Sequence, residues 1–143
     1  MIDKSWAGFA WNLKTLVSDN SSLNPKLHEG VYVFTSVPVE TDTAKLTVVA
    51  SMVEDEGLTL VLPEEQAIQS GFPIQYRCAW ITLLQESALD SVGLTAVFAR
   101  ALAEQSISCN VVAGTYHDHL FVPLDRADAA LRCLQELRHD GNA

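Results

Sequence analysis

Cations are scarce in this chain: Lys and Arg number 9 against 18 Asp and Glu, a formal charge of -9, and they cluster nowhere. Non-specific nucleic-acid affinity comes from clustered cations that displace phosphate counterions, so a nucleic-acid partner is not expected. Cysteine is equally sparse. Cys78, Cys109 and Cys133 lie far apart and form no C-x-x-C pair, a pattern of free thiols in a reducing compartment rather than a disulfide frame or a zinc site. No apolar run approaches the roughly 20 residues of a spanning helix. Asn12, Lys14 and Thr15 interrupt the first twenty residues, so no secretory h-region forms. These absences predict a cytoplasmic protein with no membrane partner. Also missing are Gly-x-Ser-x-Gly, the P-loop, Gly-x-Gly-x-x-Gly and a carboxylate pair with an evident acid and base division. No catalytic residue, no cofactor and no enzyme activity are therefore expected.

What is present is apolar material in a folding pattern. With 48% hydrophobic and 19% charged residues, the chain can offset its ordering entropy, and its 143 residues suit one compact body or two small modules sharing one. Trp6, Phe9, Ala10, Leu13, Leu16 and Val17 recur at helical spacing and predict an amphipathic N-terminal helix. Asp19, Asn20, Ser21, Ser22 and Pro25 end it, and a linker of about ten residues is expected next. β-branched and aromatic runs at 31–35, 46–53 and 58–62 read as strands, the last two forming a hairpin around Asp55, Glu56 and Gly57. Pro63, Glu64 and Glu65 open a short helix closed by Gly71. A central strand is expected over 74–84, apolar on both faces in its second half. A helix through Leu94, Val97, Phe98, Ala101 and Leu102 follows, then strands at 109–113 and 120–123 and a last helix opening at Asp125.

Strand, helix, strand, strand, helix is most of a ferredoxin-like unit, and the second half shows it in full. The first half leaves only residues 36–44 for its crossover helix. The strand-proline-acid-helix pattern around Pro63 recurs around Pro123, so the halves are expected to share a plan, the first degenerate.

Three stretches carry a family resemblance: Glu56-Gly57-Leu58-Thr59-Leu60-Val61-Leu62-Pro63, Leu89-Asp90-Ser91-Val92-Gly93-Leu94-Thr95, and Ala113-Gly114-Thr115-Tyr116-His117-Asp118-His119-Leu120-Phe121-Val122. Through them the chain resembles small bacterial ACT-domain proteins, related to CASTOR-type amino-acid sensors and to the ACT modules of aspartokinases. The resemblance spans roughly residues 26–137. It implies an α+β fold of two ferredoxin-like βαββαβ modules, each an antiparallel sheet with helices on one face. It also implies association through sheet edges or helices and an amino-acid effector. The expected division is an N-terminal helix and linker at 1–25, a degenerate first module at 26–73 and a second module at 74–143.

The loop Ser91, Val92, Gly93, Leu94, Thr95 joins a central strand to the strongest helix. Backbone N-H groups at such a helix start suit a carboxylate, and Gly93 permits close approach. The plainer use of these residues is a helix start with Ser91 as cap. Asn110 and Asp118, near the starts of the two following strands, are candidates to meet an α-amino group from across the loop. Against this stands the common use of both residue types in turns. His117 and His119, two apart, suggest a metal pair, but His28 and His139 offer no ligand spacing, so no metal is expected. The reading is a non-catalytic, ligand-sensing homodimer that binds a free amino acid through Ser91 to Thr95, Asn110 and Asp118. Its rivals are a protein-interaction module with a vestigial site, which burial of 91–95 would favour, and a metal enzyme using His117, Asp118 and His119.

Overall fold

The computed structural model describes residues 22–85 and 88–137; the helix expected over residues 6–17 lies outside them. The elements are β1 (Pro25–Leu27), β2 (Tyr32–Val37), β3 (Ala50–Glu54), β4 (Gly57–Pro63), α1 (Glu64–Gln69), β5 (Tyr76–Leu83), α2 (Leu94–Glu104), β6 (Asn110–Ala113), β7 (Asp118–Pro123) and α3 (Ala127–Glu136), the last preceded by a 3-10 turn at Leu124–Arg126. They fall into two units. His28–Trp80 forms one, and the described residues before and after it, up to Leu27 and from Ile81 on, form the other. One unit is thus inserted in the sequence of the other.

In the inserted unit the sheet runs β3-β4-β2-β5, with β2 antiparallel to both β4 and β5. Alternation along β2 turns Val33, Thr35 and Val37 inward. Val33 and Val37 join Leu60, Leu62 and Ala67 in a core. Gly57 closes the β3–β4 hairpin at φ 152, where an added Cβ would lie 2.7 Å from the Val37 carbonyl oxygen. Only glycine fits that approach.

Residues 38–49, where a crossover helix would stand, contain none. Leu46 and Val48 instead pack on the core. Gln66 of α1 holds the segment, accepting from the Thr47 N-H at 2.7 Å and donating to the Thr47 hydroxyl at 3.1 Å. This explains why the strand expected over 46–53 begins only at Ala50: residues 46–48 are committed to the core and to Gln66. The start of α1 is tied to β5 by Arg77, whose Nε lies 2.5 Å from Glu64. That partner holds the half-buried Glu64 carboxyl below the usual range.

In the outer unit the order is β6-β7-β5-β1. β1 pairs antiparallel with the end of β5, Pro25 opposite Leu83 and Leu27 opposite Ile81. The linker expected here is therefore a strand from Pro25 on. A proline tolerates only the first position or an edge, because it has no N-H to donate, and Pro25 has both. Fully buried Phe98 and Leu102 of α2 and Ala130 and Leu134 of α3 build the core with Leu120, Val122, Ile81 and Leu83. Each large side chain so buried is worth about 1.5 to 3 kcal/mol.

Both units share one strand order. Numbered along the chain from β2, the inserted sheet reads second, third, first, fourth, as in a ferredoxin-like module; the outer sheet reads the same when numbered from β5 with β1, which comes first in the chain, counted last. β5 is the fourth strand of the inserted unit and, through its end, the first of the outer one, whose fourth strand is β1. The division between the two compact units falls inside β5, between Trp80 and Ile81.

Candidate functional site

The site predicted from the sequence lies in the outer unit, where the chain leaves β5 and enters α2. Gly93 stands at the N-cap with φ 101, a left-handed conformation that a residue with a Cβ adopts only under strain. Among the described residues no side chain caps the helix. The expected cap, Ser91, turns backward instead: its hydroxyl donates to the Ala88 carbonyl at 2.6 Å and its N-H to the same oxygen at 3.0 Å. Ser91, Val92 and Thr95 are exposed, and Gly93 and Leu94 are half-buried. An α-helix start carries unpaired N-H groups and about half a positive charge. Here they have no side-chain acceptor among the described residues, and the residues around them are exposed or half-buried.

Strand register decides where the other two residues stand. Asp118 opens β7 opposite Ala113, beside the hairpin turn, whereas Asn110 pairs with Phe121 at the open end. The two are three ladder steps apart, about 10 Å, and on opposite faces of the hairpin. The eleven residues of α2, about 16 Å of helix, carry the chain from the end of β5 back toward the start of β6. Asn110 therefore stands at the far end of the unit from residues 91–95, and it is exposed. Asp118 stands at the near end. The Thr82 hydroxyl, near the end of β5, lies 2.9 Å from His119 Nδ1 and ties the start of β7 to the strand from which the loop departs. Asp118 is only 8% exposed. The structure thus places Asp118 at the same end as Ser91, Val92, Gly93, Leu94 and Thr95, and separates Asn110 from all of them.

The two histidines divide as well. β7 begins at Asp118, so His117 belongs to the turn, where its carbonyl accepts from the Gly114 N-H at 2.8 Å. A Cβ at Gly114 would lie 3.1 Å from His119 Nε2, so the glycine leaves room for that ring. Burial pushes the His119 pKa down; nearby His117 adds to this and Asp118 opposes it. A neutral imidazole bonded to Thr82 follows. Among the described residues, no three His, Cys, Asp or Glu side chains gather as a metal would need. Burial also pushes the thiol of Cys78 up to about 12 and that of Cys109 to about 11, keeping both protonated and unreactive at neutral pH.

Sequence reasoning did not find Thr82 as the partner of His119. The alternation along 76–83 and 118–123 was the available signal, since it puts both residues on interior strands. It also overlooked the apolar surroundings of the loop: Leu89 and Val92 are 69% and 65% exposed, and Tyr116 in the hairpin turn 66%.

Comparison with known proteins places this geometry. Two family profiles, both described as ACT domain, match residues 11–79 and 74–136. No curated protein matches the chain. Among solved structures, a Vibrio cholerae protein of unknown function, described as a possible transport protein, is 42% identical with a TM-score of 0.78, over 90% of this chain and 95% of its own. A protein from Agrobacterium tumefaciens is 18% identical with a TM-score of 0.67, over 80% and 87%. The regulatory subunit of aspartate kinase from Thermus flavus is 13% identical with a TM-score of 0.55, over 80% and 96%. The last two likenesses speak for the fold alone.

Proposed function

Because the chain belongs to the ACT-domain family, whose modules are regulatory, we propose that it is a non-catalytic sensor of a free amino acid, cytoplasmic and homodimeric. The ligand carboxylate docks on the backbone N-H groups at the start of α2, around Ser91 to Thr95, and its ammonium group turns toward Asp118. Asn110 takes no part. The observation that carries this reading is the uncapped start of α2, open to solvent, at the same end of its unit as a nearly buried carboxylate. A helix end that suits an anion and a carboxylate that suits an ammonium group together fit a zwitterion. Exposed Leu89, Val92 and Tyr116 at that end favour an apolar side chain on the ligand.

The exposure of Ser91, Val92 and Thr95 also argues against a vestigial site, which the chain would be expected to cover. Thermal-shift screening against the common amino acids tests the proposal. One of them, at about 100 times its dissociation constant, should add roughly 2.7 kcal/mol of stability and raise the melting temperature. A screen in which none shifts the transition contradicts the reading.

A further inference from the structure

The outer sheet has two faces, and the described helices account for only one. Leu120, Val122, Ile81 and Leu83 turn toward α2 and α3, so alternation sends Phe121, His119 and Thr82 to the other side, where the Thr82 hydroxyl meets His119. α1 belongs to the core of the inserted unit. On this second face Phe121 is nevertheless fully buried, and Thr82 is 4% exposed. The flanks differ. Lys26 of β1, opposite Thr82, and Asn110 and Val112 of β6, opposite Phe121 and His119, are exposed. The covered strip is therefore two strands wide, β5 and β7, about 10 Å, which is the width of one helix. The burial is complete within a single chain, so a second copy is not its source.

Three segments lie outside the described residues: 1–21, 86–87 and 138–143. Two residues cannot cover such a strip, and Arg138-His139-Asp140-Gly141-Asn142-Ala143 has no large apolar side chain. Residues 1–21 hold Trp6, Phe9, Ala10, Leu13, Leu16 and Val17 at helical spacing. They also join the unit at a suitable place. The Leu23 carbonyl accepts from the Gln85 N-H at 3.3 Å, just past the end of β5, and Leu23 is fully buried. The chain then turns through Asn24, at φ 47, into β1.

We propose that residues 6–17 form a helix laid along β5 and β7 on the face opposite α2 and α3, with Phe9 and Leu13 against Phe121. Such a helix is about 18 Å long, close to the roughly 20 Å of six-residue β7. Residues 18–22 reach up to about 17 Å, enough to cross from edge strand β1 to the strip. The outer sheet then carries helices on both faces, beyond the one-face plan that the resemblance implies, and the His119–Thr82 pair is enclosed beneath the added helix.

Nuclear magnetic resonance on the spin-labelled full chain tests this, in a Cys109→Ser background, with circular dichroism to confirm folding. A label on Lys26→Cys or on Val112→Cys, at the two flanks of the strip, should broaden the amide signals of residues 6–17. A label on Ala103→Cys, exposed on α2, should broaden them far less. Leu13→Asp should lower the melting temperature by about 5 °C or more, and Thr15→Asp, on the opposite side of the helix, should barely change it. Amides of 6–17 that stay sharp beside both flanking labels overturn the proposal, as does a Leu13→Asp chain that melts with Thr15→Asp.

Discussion

The two units share a strand order and differ in how the chain crosses from their first strand to their second. In the outer unit the crossing is α2, eleven residues long, with Phe98 and Leu102 in the core. In the inserted unit it is an irregular segment whose Leu46 and Val48 reach the core and whose Thr47 is held by Gln66. Either solution covers the sheet. Only a helix, however, ends in a set of aligned, unpaired N-H groups, so only the outer unit has a crossing suited to an anion. The comparison teaches that packing and binding can separate within one plan: a few apolar side chains replace a helix as cover but not as a binding element.

Three perturbations sharpen this contrast. Phe98→Ala removes the largest side chain of the helical crossing and should cost about 3 to 5 kcal/mol, read by denaturant unfolding; a cost under about 1 kcal/mol would show that α2 covers less than its burial implies. Gln66→Ala releases the irregular crossing by removing two hydrogen bonds worth roughly 0.5 to 1.5 kcal/mol each. Hydrogen exchange at the Thr47 amide should rise, and unaltered protection would mean that Leu46 and Val48 alone hold the segment.

The smallest effect concerns pH. Because the folded state depresses the His119 pKa, the unfolded chain binds the proton more readily. The stability linked to this group is complete above the ordinary value of 6.5 and is lost as pH falls through the lowered one. The drop in melting temperature between about pH 7.5 and 5.5 should shrink in His119→Gln, whose amide can still reach Thr82; an identical drop would assign the dependence to other groups.

How far the sequence reveals this arrangement depends on whether a signal is local. The α2 helix is legible because its apolar residues repeat at helical spacing, and β7 because Leu120, Phe121 and Val122 follow a turn. β1 is not: it is three residues long, contains a proline and finds its partner in β5 across the whole inserted unit. The apolar alternation of residues 46–48 resembles a strand, and only the tertiary position of Gln66 shows that they serve as cover. For the site, the contiguous loop at 91–95 is visible as a helix start. The choice between Asn110 and Asp118 depends on the β6–β7 register and on the direction of α2, which residue types alone do not reveal.

The central claim is that an amino acid binds where α2 begins, and calorimetric titration of the best ligand from the thermal screen tests it most directly. Gly93→Val forces a branched residue into a left-handed conformation at the contact and should abolish binding. Asp118→Asn should weaken binding by roughly 1.5 to 3 kcal/mol, the range for a hydrogen bond to a charged group. Circular dichroism must show both variants folded. Unchanged affinity in both would contradict the site.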